Sequence, residues 1–192
     1  MKICVEIMLV AIFTLYSCSD DTESEETLES NFTISSIAVA DGELLEVYKC
    51  EEKIDSVEQS IPLSWSNIPE EASSLAIAMT HYPDPDDLTN ISSYLLLWDI
   101  DTSISTIPYG TADEGSWFMG SNKDGNAISY SSPCSQGTGS HEYTITIYAL
   151  SDTPSSLPSM STIAVTYDVF SEALSTVTVI DTATLTFNST TL

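Results

Sequence analysis

Apolar and polar positions alternate along much of the chain with the two-residue period of a β-strand. The clearest run is residues 143–150 (YTITIYAL), in which β-branched and aromatic residues predict a half-buried strand. Residues 75–79 and most of residues 94–100 are apolar without alternation, which predicts fully buried core strands. Shorter strands are predicted at residues 32–40, 43–49, 62–65 and 184–187.

One segment has helical spacing instead. Between residues 166 and 177 apolar side chains recur every three or four positions, and Asp168 stands in the first turn, where the helix dipole favours an acid. Upstream, Pro154 and Pro158 exclude a central strand. The pattern as a whole predicts a mainly β domain, an antiparallel β-sandwich or partly closed barrel with one or two short C-terminal helices.

The N-terminus has the pattern of a targeting signal. Residues 1–17 join Lys2 to a nearly unbroken apolar run that ends at a small residue, which predicts a signal peptide. The next residue, Cys18, stands in a Leu-Tyr-Ser-Cys string that resembles a bacterial lipobox, so Cys18 is expected to carry a lipid. Plain secretion and a retained anchor are the alternatives.

The expected organisation follows from that signal. Residues 18–31 are acidic and contain no aromatic residue, which predicts a solvated tether, and residues 32–192 form the domain. We therefore expect an exported lipoprotein of the bacterial cell envelope. Ser19 after Cys18 favours the outer membrane over the inner one.

Charge excludes several classes of partner. Twenty-nine Asp and Glu residues stand against four Lys and no Arg, for a formal net charge of −25. Such a surface repels the phosphate backbone, so nucleic acid is excluded as a partner. It also repels anionic headgroups, so contact with a membrane is expected through the lipid anchor only.

The cysteines are consistent with export. Removal of the signal leaves Cys50 and Cys134 besides the lipidated residue. In an oxidising compartment these two can form a disulfide that closes a loop of about 85 residues. Two separate buried thiols are the alternative.

Four blocks of sequence occur in a fixed order. They are IPLSWSNIP, SLAIAMTHYPDPDD, YLLLWDID and the long block GSNKDGNAISYSSPCSQGTGSHEYTITIYAL. Together they resemble the phosphatidylethanolamine-binding protein family, including its bacterial Raf-kinase-inhibitor-like branch, over about residues 32–190. The resemblance implies a β-sandwich with a small anion-accepting pocket at one end, lined by the family's D-P-D-x-P loop, its H-W strand, its G-P-C-P-P loop and its H-R-Y strand.

The chain matches these motifs only in part. Tyr130, Pro133 and Cys134 match the Y, P and C of the loop, and His141 and Tyr143 match the H and Y of H-R-Y. The chain also departs from the motifs. Tyr94 replaces the family's pocket histidine, and Glu142 replaces the arginine of H-R-Y. A glycine and two prolines of the loop are replaced by Ser132, Ser135 and Gln136.

The D-P-D match has two readings. By letters, Asp84-Pro85-Asp86 fits, whereas a count along the strand from Ser74 without a gap puts His81 at the first aspartate. A shift of one residue exchanges the two faces of a strand. We therefore favour His81 in the pocket and keep Asp84 and Asp86 as candidates.

The donors available in such a pocket are weak for phosphate. Charge-assisted binding of phosphate usually relies on Arg, Lys or a helix N-terminus. Here the candidate donors are side chains of His81, Tyr94, Tyr130, His141 and Tyr143. We expect a non-enzymatic protein that binds a small polar or anionic ligand without a cofactor.

The alternative function is a protein-interaction or inhibitor module that modulates a protease or kinase, by family analogy alone. Its partner would be an unknown envelope protein, and the protein itself is expected to be a monomer or homodimer.

Two other chemistries have less support. The acids near His81 and the segment from Asn122 to Asn126 could ligate calcium, but neither has the D-x-D-x-D-G spacing. The pair Ser131-Ser132 is a weak indication of a nucleophile near His141, without the G-x-S-x-G motif of hydrolases. Neither a metal site nor catalysis is expected.

Overall fold

Two β-sheets face each other in the computed structural model of the protein, which describes residues 31–50, 58–84, 86–125, 130–134 and 137–191. These residues form ten strands, a 3-10 turn at Glu46–Tyr48 and one α-helix, α1, at Tyr167–Leu174. In chain order the strands are β1 (Thr33–Ser35), β2 (Val39–Ala40), β3 (Glu43–Leu44), β4 (Leu63–Ser66), β5 (Ser74–His81), β6 (Ser92–Ile100), β7 (Thr106–Ile107), β8 (Phe118–Met119), β9 (Gly139–Leu150) and β10 (Val179–Thr191).

The longest strands lie in the middle of the larger sheet. Its order is β2-β3-β10-β9-β5-β6-β8, and the smaller sheet has the order β1-β4-β7. Among the described strands, the pairs are antiparallel except for a short parallel contact of β3 with β10. The mainly β sandwich predicted from the sequence is confirmed.

The main core fills the space between the two sheets. On β9, Tyr143, Ile145 and Ile147 are buried and point towards the smaller sheet, whose Leu63 and Trp65 belong to the same apolar cluster. The residues between them on β9 point the other way. Burial of this apolar surface is the main favourable term in folding, and it fixes which face of β9 is inside.

A second apolar cluster lies on the opposite face of the larger sheet. There Phe170 of α1 belongs to one buried cluster with the small side chains Ala76 and Ala78 of β5 and with Leu96 and Trp98 of β6. The molecule therefore has three layers: the smaller sheet, the larger sheet and the helix.

The helix begins where the sequence predicts it. The side chain of Thr166 accepts a hydrogen bond from the backbone N–H of Val169 at 3.4 Å, which caps the first turn. The helix ends at Leu174, three residues before the end of the predicted segment.

Two of the shorter predicted strands differ from the structure. Residues 32–40 form β1 and β2, which belong to different sheets. Ser36 separates them, because its Oγ donates to the Pro62 carbonyl at 2.5 Å and accepts from the Ala38 N–H at 3.1 Å. In residues 43–49 only Glu43–Leu44 is strand. By contrast, β10 is much longer than the predicted 184–187.

A turn joins β2 to β3 at the pair Asp41-Gly42. Both residues have positive φ, 52° and 78°, the left-handed conformation that a two-residue hairpin loop requires. Gly42 also accepts, through its carbonyl, the N–H of Asn188 on β10 at 2.8 Å. The hairpin is thereby attached to the end of the longest strand.

Cys50 and Cys134 form a disulfide, with Cα atoms 4.7 Å apart. The sequence left open whether the two cysteines are paired or are separate buried thiols, and in the structure they are paired. It joins the segment after the 3-10 turn to the loop of residues 130–134.

Several predictions concern residues outside the described ranges: the signal peptide, lipidated Cys18, all but the last residue of the tether, Pro85, Asn126, Ser135 and Gln136. Within the described residues, no helix is both long enough and apolar enough to cross a membrane.

Candidate binding site

Four aromatic side chains that the sequence singled out come together at one end of the larger sheet. His81 ends β5, Tyr94 lies near the start of the neighbouring strand β6, and His141 and Tyr143 lie near the start of β9 on the other side. These strands are adjacent and antiparallel to β5, so the end of β5 meets the beginnings of the other two.

Ring contacts centre on His81. Its imidazole stacks on Tyr143 with ring centroids 4.7 Å apart and meets His141 edge-on at 5.6 Å and Tyr94 at 6.2 Å. The rings of Tyr94 and Tyr143 are 5.1 Å apart. Such edge-to-face and offset contacts hold the imidazole in a defined orientation.

A hydrogen bond fixes the tautomer of His81. Its Nδ1 lies 2.7 Å from the carbonyl oxygen of Glu142. A carbonyl can only accept, so Nδ1 carries the hydrogen and Nε2 remains to interact with a ligand. In the neutral ring Nε2 accepts a hydrogen bond, and in the charged ring it donates one.

The two tyrosines beneath the histidine stay neutral phenols. Burial raises the pKa of Tyr94, and Tyr143, Asp124 and Glu58 add to the shift. Burial likewise raises the pKa of Tyr143, although its hydrogen bond with Tyr94 lowers it in part. These two residues therefore offer hydroxyl groups and not charges.

These pKa shifts predict a loss of stability at alkaline pH. Phenols in the unfolded chain ionise near pH 10, whereas Tyr94 and Tyr143 in the folded chain resist ionisation. Their stabilising contribution is complete below the unfolded pKa and is lost as the pH rises above it. We expect urea unfolding at a series of pH values to show a smaller alkaline decrease for Y94F/Y143F than for the native chain.

Tyr109→Phe is the matched control, because Tyr109 is 41% exposed on another part of the surface. It should leave the alkaline decrease unchanged. Equal alkaline slopes for Y94F/Y143F and the native chain would contradict the prediction.

An open cavity of about 520 Å³ lies beside the ring cluster, within the usual size for a small-molecule site. The cavity wall contains both histidines and Glu142, together with Tyr82, Pro83, Leu88, Ser140 and Asn188. It is thus a cleft with two imidazoles, one carboxylate and an apolar rim.

The loop of residues 130–134 supports the cluster from behind. The Ser131 N–H donates to the Tyr94 carbonyl at 2.9 Å, and the Pro133 carbonyl accepts the N–H of Cys50 at 3.3 Å. Tyr130 and Pro133 are buried and are not part of the cavity wall. Their place is a supporting one beside β6.

Asp84 and Asp86 lie apart from the cleft wall. Both are exposed, and the Asp84 carboxylate accepts the backbone N–H of Asp86 at 3.0 Å in a local turn. Of the three predicted site residues in this segment, His81 is the one that lines the cavity. This placement follows the gapless count from Ser74.

Metal and hydrolase chemistry gain no geometric support among the described residues. No group of three or more His, Cys, Asp or Glu side chains there is arranged to hold a metal ion. The hydroxyl of Ser131 is buried and makes no hydrogen bond to a described residue, so it is not paired with a histidine base.

Six members of the cavity wall were not among the predicted site residues: Tyr82, Pro83, Leu88, Ser140, Glu142 and Asn188. Glu142 replaces an arginine of the family motif, and this replacement was the one feature of the sequence that could have pointed to Glu142. Asn188 lies opposite Glu142 in the register of β10 on β9, and Leu88 lies in the loop after β5. Neither of these two belongs to a motif.

The protein is thus a β-sandwich domain with a small cleft at one end of its larger sheet, an arrangement suited to binding a small ligand. The sequence model of phosphatidylethanolamine-binding proteins matches residues 35–190. This chain belongs to the phosphatidylethanolamine-binding protein family.

Solved structures agree on the fold. A phosphatidylethanolamine-binding protein homologue from Chlamydia trachomatis, CT736, is 24% identical, has a TM-score of 0.67, and aligns over 83% of this chain and 97% of its own. YbcL of Escherichia coli, described as a new member of the mammalian family, is 19% identical with a TM-score of 0.67 over 84% and 99% of the two chains. No curated protein matches the sequence significantly.

Proposed function

We propose that this protein is a non-enzymatic binding protein that holds a small polar or anionic ligand in the cleft beside His81 and His141. The proposal depends on one observation: two imidazole rings from different strands lie next to each other in the wall of one open cavity. Membership of the family supports a ligand-binding or modulator role in general. The N-terminal pattern supports an exported lipoprotein attached through Cys18.

The charges of the cleft favour a ligand that carries both signs. The imidazoles can donate to an anionic group once they are protonated. Glu142, where the family has an arginine, contributes a carboxylate to the same wall. A ligand with an anionic group and a nearby ammonium would satisfy both, whereas bare phosphate would meet the Glu142 carboxylate and the field of a chain with a net charge of −25.

A titration of the purified full chain with phosphorylethanolamine, inorganic phosphate and acetate, followed by NMR, tests this proposal. We expect phosphorylethanolamine to bind more tightly than phosphate and to shift the imidazole resonances. His81→Phe keeps a ring that can stack on Tyr143 but removes both nitrogens. It should weaken binding by about tenfold or more, the value of one hydrogen bond to a charged group.

Two further variants sharpen that experiment. Glu142→Gln should weaken binding of phosphorylethanolamine and strengthen binding of acetate, because it removes the partner of the ammonium. Asp84→Asn is the control, since Asp84 does not line the cavity, and it should change nothing. Tight phosphate binding that His81→Phe leaves unchanged would refute the proposal.

One observation favours a protein-binding role as the second candidate. Leu88, 68% exposed, and Tyr82, 37% exposed, stand at the rim of the same cleft. Exposed apolar side chains beside a polar cleft are typical of contact sites. In this alternative an envelope protein, such as a protease, would cover the cleft.

A further inference from the structure

Part of the outer face of the larger sheet lies beside the helix layer and carries an array of hydroxyl groups. Three cross-strand pairs of β9 and β10 point away from the main core there. They are Thr144 with Thr186, Thr146 with Thr184, and Tyr148 with Thr182. We call these six residues the threonine face.

The threonine face is uncharged in a strongly acidic protein. None of its six residues is among the 29 acids or the four lysines. Glu142 pairs with Asn188 beyond one end, and Asp168 lies close to Tyr167 beyond the other. The face has no carboxylate of its own to attract a cation, and the net charge of the molecule disfavours an anion.

Its hydroxyl groups form a regular array. Residues two apart on a strand are separated by about 6.7 Å, and adjacent strands by about 4.8 Å. The hydroxyls of Thr144 and Thr186 lie 3.4 Å apart across the strands. Each threonine hydroxyl can donate one hydrogen bond and accept two, so the face presents repeated hydrogen-bonding groups to an extended ligand.

Tyrosine rings border this array. Tyr148 packs edge-on against Phe170 of α1 with ring centroids 6.3 Å apart. Burial raises the pKa of Tyr167, and the phenols of Tyr148 and Tyr82 add to the shift. A tyrosine combines an apolar ring with a polar hydroxyl, as a ligand with alternating C–H and O–H groups requires.

A groove of about 310 Å³ continues beyond Tyr167. Its walls include the short hydroxyl side chains of Ser92, Ser93, Ser121 and Thr166, together with one charged residue of each sign, Lys123 and Asp168. The hydroxyl-bearing surface therefore extends past the strands and around the start of the helix.

We propose that the threonine face and its bordering tyrosines bind an uncharged polysaccharide. A neutral sugar chain is not repelled by the acidic protein, and its hydroxyls match the donors and acceptors of the array. Its C–H surfaces match the tyrosine rings. The face adjoins the two-histidine cleft, because Tyr82 and the Glu142–Asn188 pair line that cleft. The inference does not depend on the function proposed for the cleft.

Affinity electrophoresis of the purified full chain, in native gels that contain dextran, glucomannan or polygalacturonate, tests this inference. We expect at least one of the two neutral polymers to retard the protein and the anionic polygalacturonate to retard it less. The double variant T182D/T184D places two carboxylates on exposed positions of the face. It should weaken retardation by about tenfold or more, because a carboxylate covered by an uncharged ligand loses its hydration.

The matched control is T33D/T106D, which adds the same charge at exposed strand positions of the smaller sheet. It should leave retardation unchanged, and so should His81→Phe, which affects only the cleft. The inference is overturned if neither neutral polymer retards the native chain, or if T182D/T184D is retarded as strongly as T33D/T106D.

Discussion

Removal of the disulfide by C50A/C134A is expected to lower the free energy of unfolding by about 4–5 kcal/mol, because the bond closes a loop of 84 residues in sequence separation. The loss would be a large part of the 5–15 kcal/mol that stabilises an ordinary domain. Chemical denaturation with urea measures it. The loop of residues 130–134 should also become less ordered, although its hydrogen bond from Ser131 to Tyr94 remains.

Reduction provides the matched comparison. Both cysteines are exposed, so dithiothreitol should reach the bond and lower the stability of the native chain to that of the variant. The variant itself should not respond to dithiothreitol. An unchanged urea midpoint for C50A/C134A would contradict this account.

Trp98→Ala is expected to lower the free energy of unfolding by about 3–5 kcal/mol, the usual range when a large aromatic side chain is removed from a core. Trp98 is 0% exposed, and its Nε1 donates to the Pro158 carbonyl at 3.0 Å. It also packs near Phe118, with ring centroids 6.1 Å apart. The substitution leaves a cavity under α1 and removes the indole N–H that donates to the Pro158 carbonyl.

Trp117→Ala is the control for that experiment. Trp117 is only partly buried, and its Nε1 bonds the Ala112 carbonyl at 2.7 Å. The two variants therefore lose the same side chain and one hydrogen bond each, but different amounts of buried surface. We expect Trp117→Ala to be clearly less destabilising.

If Trp98→Ala is unfolded, Trp98→Phe keeps most of the ring and gives a measurable intermediate loss. Thermal unfolding followed by circular dichroism is sufficient. A loss for Trp98→Ala no larger than that for Trp117→Ala would contradict the larger contribution expected from the fully buried ring.

Local pattern was a good guide where one period, or one continuous apolar run, dominated a segment. Residues 143–150 lie within β9, and residues 75–79 and 94–100 lie within β5 and β6. The helix after Thr166 was also predicted. Residues 143–150 and the helix each show one clear period, whereas residues 75–79 and 94–100 are nearly continuous apolar runs. In each case the apolar pattern of the segment is enough to determine its own structure.

Pattern failed where a tertiary contact competed with it. The alternation of residues 32–40 predicts one strand, but the bonds of Ser36 to Pro62 and Ala38 turn the chain towards the second sheet. Pro62 is distant in sequence, so nothing in the segment itself reveals the contact.

The candidate site shows the same division. Motif spacing predicted that His81, Tyr94, His141 and Tyr143 share one site, and their rings lie together in the structure. Spacing could not separate the residues that line the cleft from those that support it, such as Tyr130.

By itself, therefore, the sequence determined the core of the long strands β5, β6 and β9, the helix, the acidic character and the grouping of the four rings, because each follows from short-range pattern, composition or motif. Only the tertiary structure decided that Glu142 and Asn188 share a wall with the histidines, that Cys50 meets Cys134, and that β9 and β10 present an uncharged face. The physical reason is that these relations depend on the register and packing of segments far apart in the chain, where each segment's own pattern is compatible with more than one pairing.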